Sequence, residues 1–155
     1  MLSFFYMKRT NQEIVSSKLF DEATFYKAFE RDVRKSKKSV VIESPFLTER
    51  RAHQFSSIIK KLRKRDVKVI IYTRYPYHHP YRLRIHALEG IKILQDAGAR
   101  VYECRDFRHR KVAVIDKTKL WEGSLNILSQ SKSRETMRRI ESKMLARQML
   151  GIIKS

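Results

Sequence analysis

The chain has 155 residues, 42% of them hydrophobic, and a formal net charge of +19 from 35 Lys+Arg against 16 Asp+Glu. That length fits one compact domain over residues 1–155, and the apolar fraction suffices for an ordinary core, so neither two domains nor a disordered tail is expected. The charge calls for a polyanionic partner, nucleic acid ahead of an anionic membrane surface.

A single cysteine, Cys104, excludes an internal disulfide framework and a cysteine-based zinc cluster. Apolar runs such as Val67–Tyr72, with Lys68 inside, fall far short of the roughly 20 residues that span a bilayer. The chain starts Met1-Leu2-Ser3-Phe4-Phe5-Tyr6 and reaches Lys8-Arg9 at once, the reverse of a signal peptide's order. A cytoplasmic protein with no stable membrane association is the expectation.

Asp21 is placed to cap a helix over Glu22–Lys37, in which Phe25, Ala28, Phe29 and Val33 share one face. Ser39–Ser44 is a β-branched run closed by Pro45 and reads as a buried strand. Thr48 is the expected N-cap of a helix to about Arg65, with Phe55, Ile58, Ile59 and Leu62 inward. Val67–Thr73 predicts a second buried strand. After an irregular stretch, Leu83–Asp96 predicts a helix stopped by Gly98, and Arg100–Glu103 a third strand.

From there the pattern changes. Lys111–Asp116 and Lys119–Trp121 are apolar runs separated by a polar turn, which predicts a hairpin. Thr136–Ser142 reads as a last strand and Lys143–Ile153 as an amphipathic helix through Met144, Leu145, Met149 and Ile152. The sum is an α/β fold, a mixed β-sheet flanked by helices on both faces.

The chemistry concentrates in His109-Arg110-Lys111-Val112-Ala113-Val114-Ile115-Asp116 and in Gly123-Ser124-Leu125-Asn126. Residues two apart on a strand point the same way, so His109 and Lys111 leave one face together. Glycine permits a sharp turn and close backbone approach, bringing a hydroxyl, an amide and backbone N–H groups to the same spot. Imidazole, ammonium, amide and hydroxyl without a carboxylate pair suit a phosphate diester: donors for its oxygens, and a neutral nucleophile that its charge does not repel.

His109-x-Lys111, four residues, Asp116, six residues, then Gly123-Ser124-x-Asn126 resembles the signature of the phospholipase D superfamily. Ile42-Glu43-Ser44-Pro45-Phe46 looks like the strand end facing the active site in that superfamily, and Ala97-Gly98-Ala99-Arg100-Val101 like the turn before the motif. The resemblance extends over about residues 20 to 142. It implies a phospholipase D-like fold, attack of His109 on phosphorus, and a covalent phosphohistidine. Lys111 and Asn126 would hold phosphate oxygens and Ser124 would add a hydrogen bond. Asp116 and Glu135 would orient the imidazoles, with Glu135 preferred to the nearby Glu141. No metal and no cofactor is called for.

The mechanism uses two histidines, and this chain carries one motif. His53, His78, His79 and His86 have no lysine two residues on and no Gly-Ser-x-Asn behind them. Short relatives pair two chains, so a homodimer with a shared site is expected. Glu43, Ser44, Pro45 and Gly123 are candidate substrate contacts, as are Arg74, Tyr75 and His78 of the aromatic and basic stretch Arg74–Arg82, where rings could stack on bases. That stretch reads equally as a surface loop stiffened by prolines, Glu43 as a strand-end carboxylate paired with a basic residue, and Asp116 as a hairpin-turn residue. A metal site at His78-His79 lacks partner ligands at useful spacing.

The leading functional reading is a metal-independent nuclease, with DNA ahead of RNA, and a place in a larger defence or restriction assembly is compatible with it. The alternatives are a lipid phosphodiesterase or phosphatidyl transferase, and a non-catalytic nucleic-acid-binding module.

Overall fold

The computed structural model describes residues 14–129 and 132–155, so the reading of Met1–Arg9 lies outside the described residues. In chain order the elements are β1 (Ser16–Asp21), α1 (Phe25–Arg34), β2 (Ser39–Glu43), α2 (Glu49–Arg63), β3 (Lys68–Arg74), a 3-10 turn at Pro76–His78, α3 (Tyr81–Asp96), β4 (Arg100–Cys104), β5 (Lys111–Ile115), β6 (Lys119–Gly123), β7 (Thr136–Glu141) and α4 (Lys143–Lys154). Seven strands form one sheet in the order β1-β7-β6-β5-β2-β3-β4. β2, β3 and β4 run parallel, while β5, β6, β7 and β1 add antiparallel pairs on the other side of β2. This is the mixed α/β sheet that the alternating pattern predicts. Among the described residues no helix is long and apolar enough to cross a membrane.

Period-two alternation divides the core between the two faces. Val40 and Ile42 of β2, with Ala113 and Ile115 of β5, pack under α1, α2 and α3; Val41, Val112 and Val114 face α4. On the three-helix face, Trp121 is wholly buried with Phe20, Phe25 and Phe29 around it at ring-centre distances of 4.9, 5.4 and 5.9 Å. Its indole N–H is satisfied by Asp32 at 3.1 Å, and Arg139 grips the same carboxylate.

Two elements depart from expectation. Strand β1 was not predicted: it is an edge strand, mostly exposed, and only Phe20 of its six residues turns toward the core. Helix α1 is shorter than Glu22–Lys37 at both ends. Asp21 accepts the N–H groups of Ala23 and Thr24, at 3.1 and 2.9 Å, holding a turn that delays the helix to Phe25.

The C-terminal end is cut short because Asp116 competes for the backbone. Its carboxylate accepts the N–H groups of Lys37 (2.9 Å), Lys38 (2.7 Å) and Ser39 (3.0 Å). Those donors therefore serve the β5–β6 turn and not a helix. Asp116 and Lys117 adopt φ of +52° and +56°, as the two central residues of a tight hairpin turn do, and aspartate tolerates that conformation better than most residues.

Asp116→Ala would strand three backbone donors and should cost about 1–3 kcal/mol. Equilibrium denaturation measures this, and an unchanged midpoint would show that the strap carries no stability.

Candidate active site

The opposite end of the sheet from that hairpin turn gathers the C-terminal ends of β2 and β3, the start of β5, the end of β6 and the start of β7. Alternation along β5 sends His109 and Lys111 to the three-helix face, as expected. The Lys111 side chain is buried, while His109 stands exposed above it. The ammonium lies 2.9 Å from Nδ1 of His109 and donates to the His109 carbonyl at 2.7 Å.

Arg74, the last residue of β3, donates to the carbonyl of Arg108 at 2.9 Å and so grips the segment leading into His109. The Lys111 charge, then partial burial, then Arg74 hold the His109 imidazole below its ordinary pKa. The cationic form is disfavoured, so the ring stays neutral, with a lone pair, to lower pH than a free histidine.

Lys111 is in turn pulled below the usual lysine range, mainly by burial, with Glu135 opposing the shift. The Glu135 carboxyl is held low by hydrogen bonds from the Ser124 and Ser133 hydroxyls, and further by Lys111. Imidazole, ammonium, hydroxyl and carboxylate are therefore one electrostatic group. Glu141 is not part of it: it pairs with Arg139 at 2.8 Å, at the register position of Lys119 near the far end of β6.

Gly123 closes β6 where β7 crosses it. A Cβ there would lie 2.2 Å from the Thr136 carbonyl oxygen and 2.8 Å from the Met137 Cα, so the close approach excludes any side chain. The turn that follows is held by distant elements. Tyr26 donates to the Asn126 carbonyl (2.9 Å), Arg51 Nε to that of Ile127 (3.2 Å) and the Thr48 N–H to that of Leu128 (3.0 Å). The Asn126 side-chain Oδ1 is buried with no hydrogen-bond partner among the described residues. Burial of a polar atom without a partner is costly, and because this atom is an acceptor only a hydrogen-bond donor would relieve that cost.

Several expected contacts are corrected. Asp116 lies at the other end of β5, bound to backbone, and does not orient the imidazole. Glu43 is wholly buried and, by strand alternation, faces α4, away from His109. It bridges Arg108 and Arg110, each at 3.1 Å, and those arginines also donate to the α4 carbonyls of Ile153 and Ile152. Ser44 is buried, donating to the Phe46 carbonyl and accepting from the Leu128 N–H; Pro45 is buried beside it. These three residues shape the site from behind and present no surface to a substrate.

Tyr75 and His78 lie on a rim beside the site. Arg105 stands 4.0 Å over the Tyr75 ring, and His78 stacks on Phe107 at 4.2 Å. Four neighbours, Phe46, His79, Arg108 and Arg110, had been given no individual role at the site. Phe46 sits edge-on to His109 and also packs against the buried His79, while Arg108 and Arg110 form the Glu43 clamp. Alternation alone would have found the clamp, since positions 108 and 110 must leave the face that 109 and 111 occupy.

The family model described as "Cardiolipin synthase, PLD-like domain" matches residues 30–155. The chain belongs to the phospholipase D-like family. No curated protein matches it.

Among solved structures, Nuc of Salmonella typhimurium, described as a phospholipase D family member, shares 18% identity over 90% of this chain and 91% of its own, with a TM-score of 0.75. NucT of Helicobacter pylori shares 17% over 90% and 93%, with a TM-score of 0.68. Phosphatidylserine synthase of Haemophilus influenzae shares 14% over 92% of this chain and 37% of its own, with a TM-score of 0.71. At such identities the likeness is one of fold.

In this phospholipase D-like chain the site's electrostatics are open to direct measurement. The His109 ring should titrate, by NMR, below an ordinary histidine. Lys111→Met removes the largest cause of the depression, so the midpoint should rise; an unmoved midpoint would refute the coupling.

Proposed function

We propose that the chain is a metal-independent phosphodiesterase acting on nucleic acid, working as a homodimer with residues 1–155 as one catalytic domain. The observation that carries this reading is the Lys111 ammonium 2.9 Å from a neutral, exposed imidazole. That pairing suits a nucleophile for an anionic diester: the lone pair is available, and the neighbouring cations attract the phosphate.

In the proposed reaction, the unprotonated ring nitrogen of His109 attacks phosphorus and a P–N bond forms as the P–O bond to the leaving group breaks. Lys111 and the Asn126 Nδ2 donor hold the non-bridging oxygens. The departing oxygen takes a proton from an imidazolium, and water then attacks the phosphohistidine, losing a proton to that same imidazole as the P–N bond breaks. Ser124 and Glu135 keep Lys111 in place and are positioning residues. Arg74 adds positive charge beside the diester.

The proton donor is the second imidazole, and its source is the argument for a dimer. His79 is buried behind Phe46 with a ring N–H spent on the Pro45 carbonyl, so it cannot reach a leaving oxygen. His109 of a second copy, related by a two-fold axis, supplies the group.

Nucleic acid is favoured over a lipid diester by the charge of +19, because each neutralised phosphate of a polymer adds affinity. The lipid reading draws on the family description and is decided by the same assays.

Cleavage of plasmid and single-stranded DNA should persist in excess EDTA, whereas dependence on Mg²⁺ would overturn the histidine mechanism. His109→Ala should lose turnover by at least about 1,000-fold while binding DNA with the same salt dependence. Hydrolysis of phosphatidylcholine vesicles without action on DNA would establish the lipid reading instead. Sedimentation should give a dimer, and a monomer at assay concentration would contradict the shared site.

A further inference from the structure

Far more cations are present than the site employs, and the fold collects many of them at the other end of the sheet. Four separated segments converge there: the end of α1, the end of α2, the start of β3 and the β5–β6 turn. Their contact is direct. Arg65 donates to the Arg34 carbonyl at 2.7 Å, and the Lys68 N–H donates to that of Lys38 at 3.0 Å. Asp116 ties Lys37 and Lys38 to the hairpin through their backbone N–H groups, which leaves both side chains exposed.

Two hollows mark the surface. One of about 330 Å³ lies between α1 and α2 with Arg34, Lys61 and Arg65 on its walls. The other, of about 260 Å³, lies between Arg63, Lys68 and Arg100. Arg63 is seated there because its stem crosses Gly98, where a Cβ would come within 2.8 Å of the Arg63 Cγ.

Helix C-termini favour cations, which accounts for one or two basic residues in a last turn. It does not account for the concentration here. Among the described residues, the ion pairs at this pole reduce to a 3.9 Å contact between Arg34 and Glu30; Lys37, Lys38, Lys61, Lys64 and Lys68 are exposed and take part in none. Asp66 and Asp96 are the exposed carboxylates set among them. Asp116, half-buried, is spent on backbone N–H groups, cations still outnumber carboxylates, and crowded charge of one sign raises the energy of the fold unless a polyanion covers it.

We propose that this basic pole is a second nucleic-acid-binding surface, gripping the phosphate backbone away from the scissile bond. Six residues lie between His109 and Asp116, five of them in β5, so at about 3.3 Å per residue the pole lies about 20 Å from the His109 imidazole. Phosphates held there are not the ones being cut. The partner is nucleic acid and not a membrane because most of the exposed large apolar side chains, Leu19, Tyr77, Tyr81, Ile85 and Phe107 among them, lie away from the pole; Ile14 and Val15 share its end of the sheet but stand at the β1 edge, three strands from the Asp116 turn. Stable interfacial binding needs such side chains to enter the bilayer. The inference rests on the reading of the polymer as nucleic acid, but its assay is binding and not cleavage.

The test compares Lys61→Gln/Lys64→Gln/Lys68→Gln with an equal loss of charge elsewhere, Lys18→Gln/Arg138→Gln/Arg147→Gln. Fluorescence anisotropy of a labelled 30-base-pair duplex is followed across salt concentration. The pole variant should lower the slope of log K against log salt by about 2–3 and weaken binding at 0.1 M salt by about tenfold or more. Its hydrolysis of a small aryl phosphodiester should match the unaltered protein.

An unchanged slope would overturn the proposal, and so would an equal fall in the control variant, which would mean that net charge alone acts. Loss of pelleting with phosphatidylserine vesicles while duplex binding is kept would overturn it in favour of a membrane. Failure of the DNA-cleavage assay with the binding difference intact would count against the catalytic reading alone.

Discussion

A lysine ammonium set 2.9 Å from an imidazole nitrogen is the constraint around which this molecule is arranged. Burying a cation is costly unless partners surround it. Here the His109 carbonyl accepts from it directly, while Glu135 opposes the depression of its pKa. The same charge keeps the exposed imidazole neutral. One side chain thus sets the state of the imidazole and, in the proposed reaction, seats the anion that His109 attacks.

Strand β5 makes this possible by carrying opposite chemistry on its two faces. Lys111 and His109 leave toward the three helices, whereas Arg108 and Arg110 leave toward α4 and close on Glu43. That buried carboxylate neutralises two arginines that would otherwise add to the repulsion around Lys111. It also ties the end of α4 to the sheet, so a packing contact and an electrostatic one share a residue. The Gly123–Asn126 turn is built in the same economical way, from carbonyls held by Tyr26, Arg51 and Thr48.

The two ends of the sheet divide the molecule's work. One end concentrates the imidazole, amide and hydroxyl groups; the other concentrates lysine and arginine around the Asp116 strap. Asp116 belongs by spacing to the chemical motif, yet its carboxylate binds backbone at the basic end. Its fixed place in the pattern follows from hairpin geometry and from the N–H groups of residues 37–39. Catalysis is not needed to explain it.

Much of this was legible in the sequence because it is local. The period of two along residues 109–115, the β-branched runs and the Thr48 cap each depend on near neighbours, and so do the strands and helices they predict. The edge strand β1 was not legible, since five of its six residues show water no face worth burying. The roles of Glu43, Asp116 and the basic pole were decided only by tertiary structure. Each depends on segments from 30 to almost 80 residues apart, and only folding settles which carboxylate meets which cation and which backbone donors lie within reach.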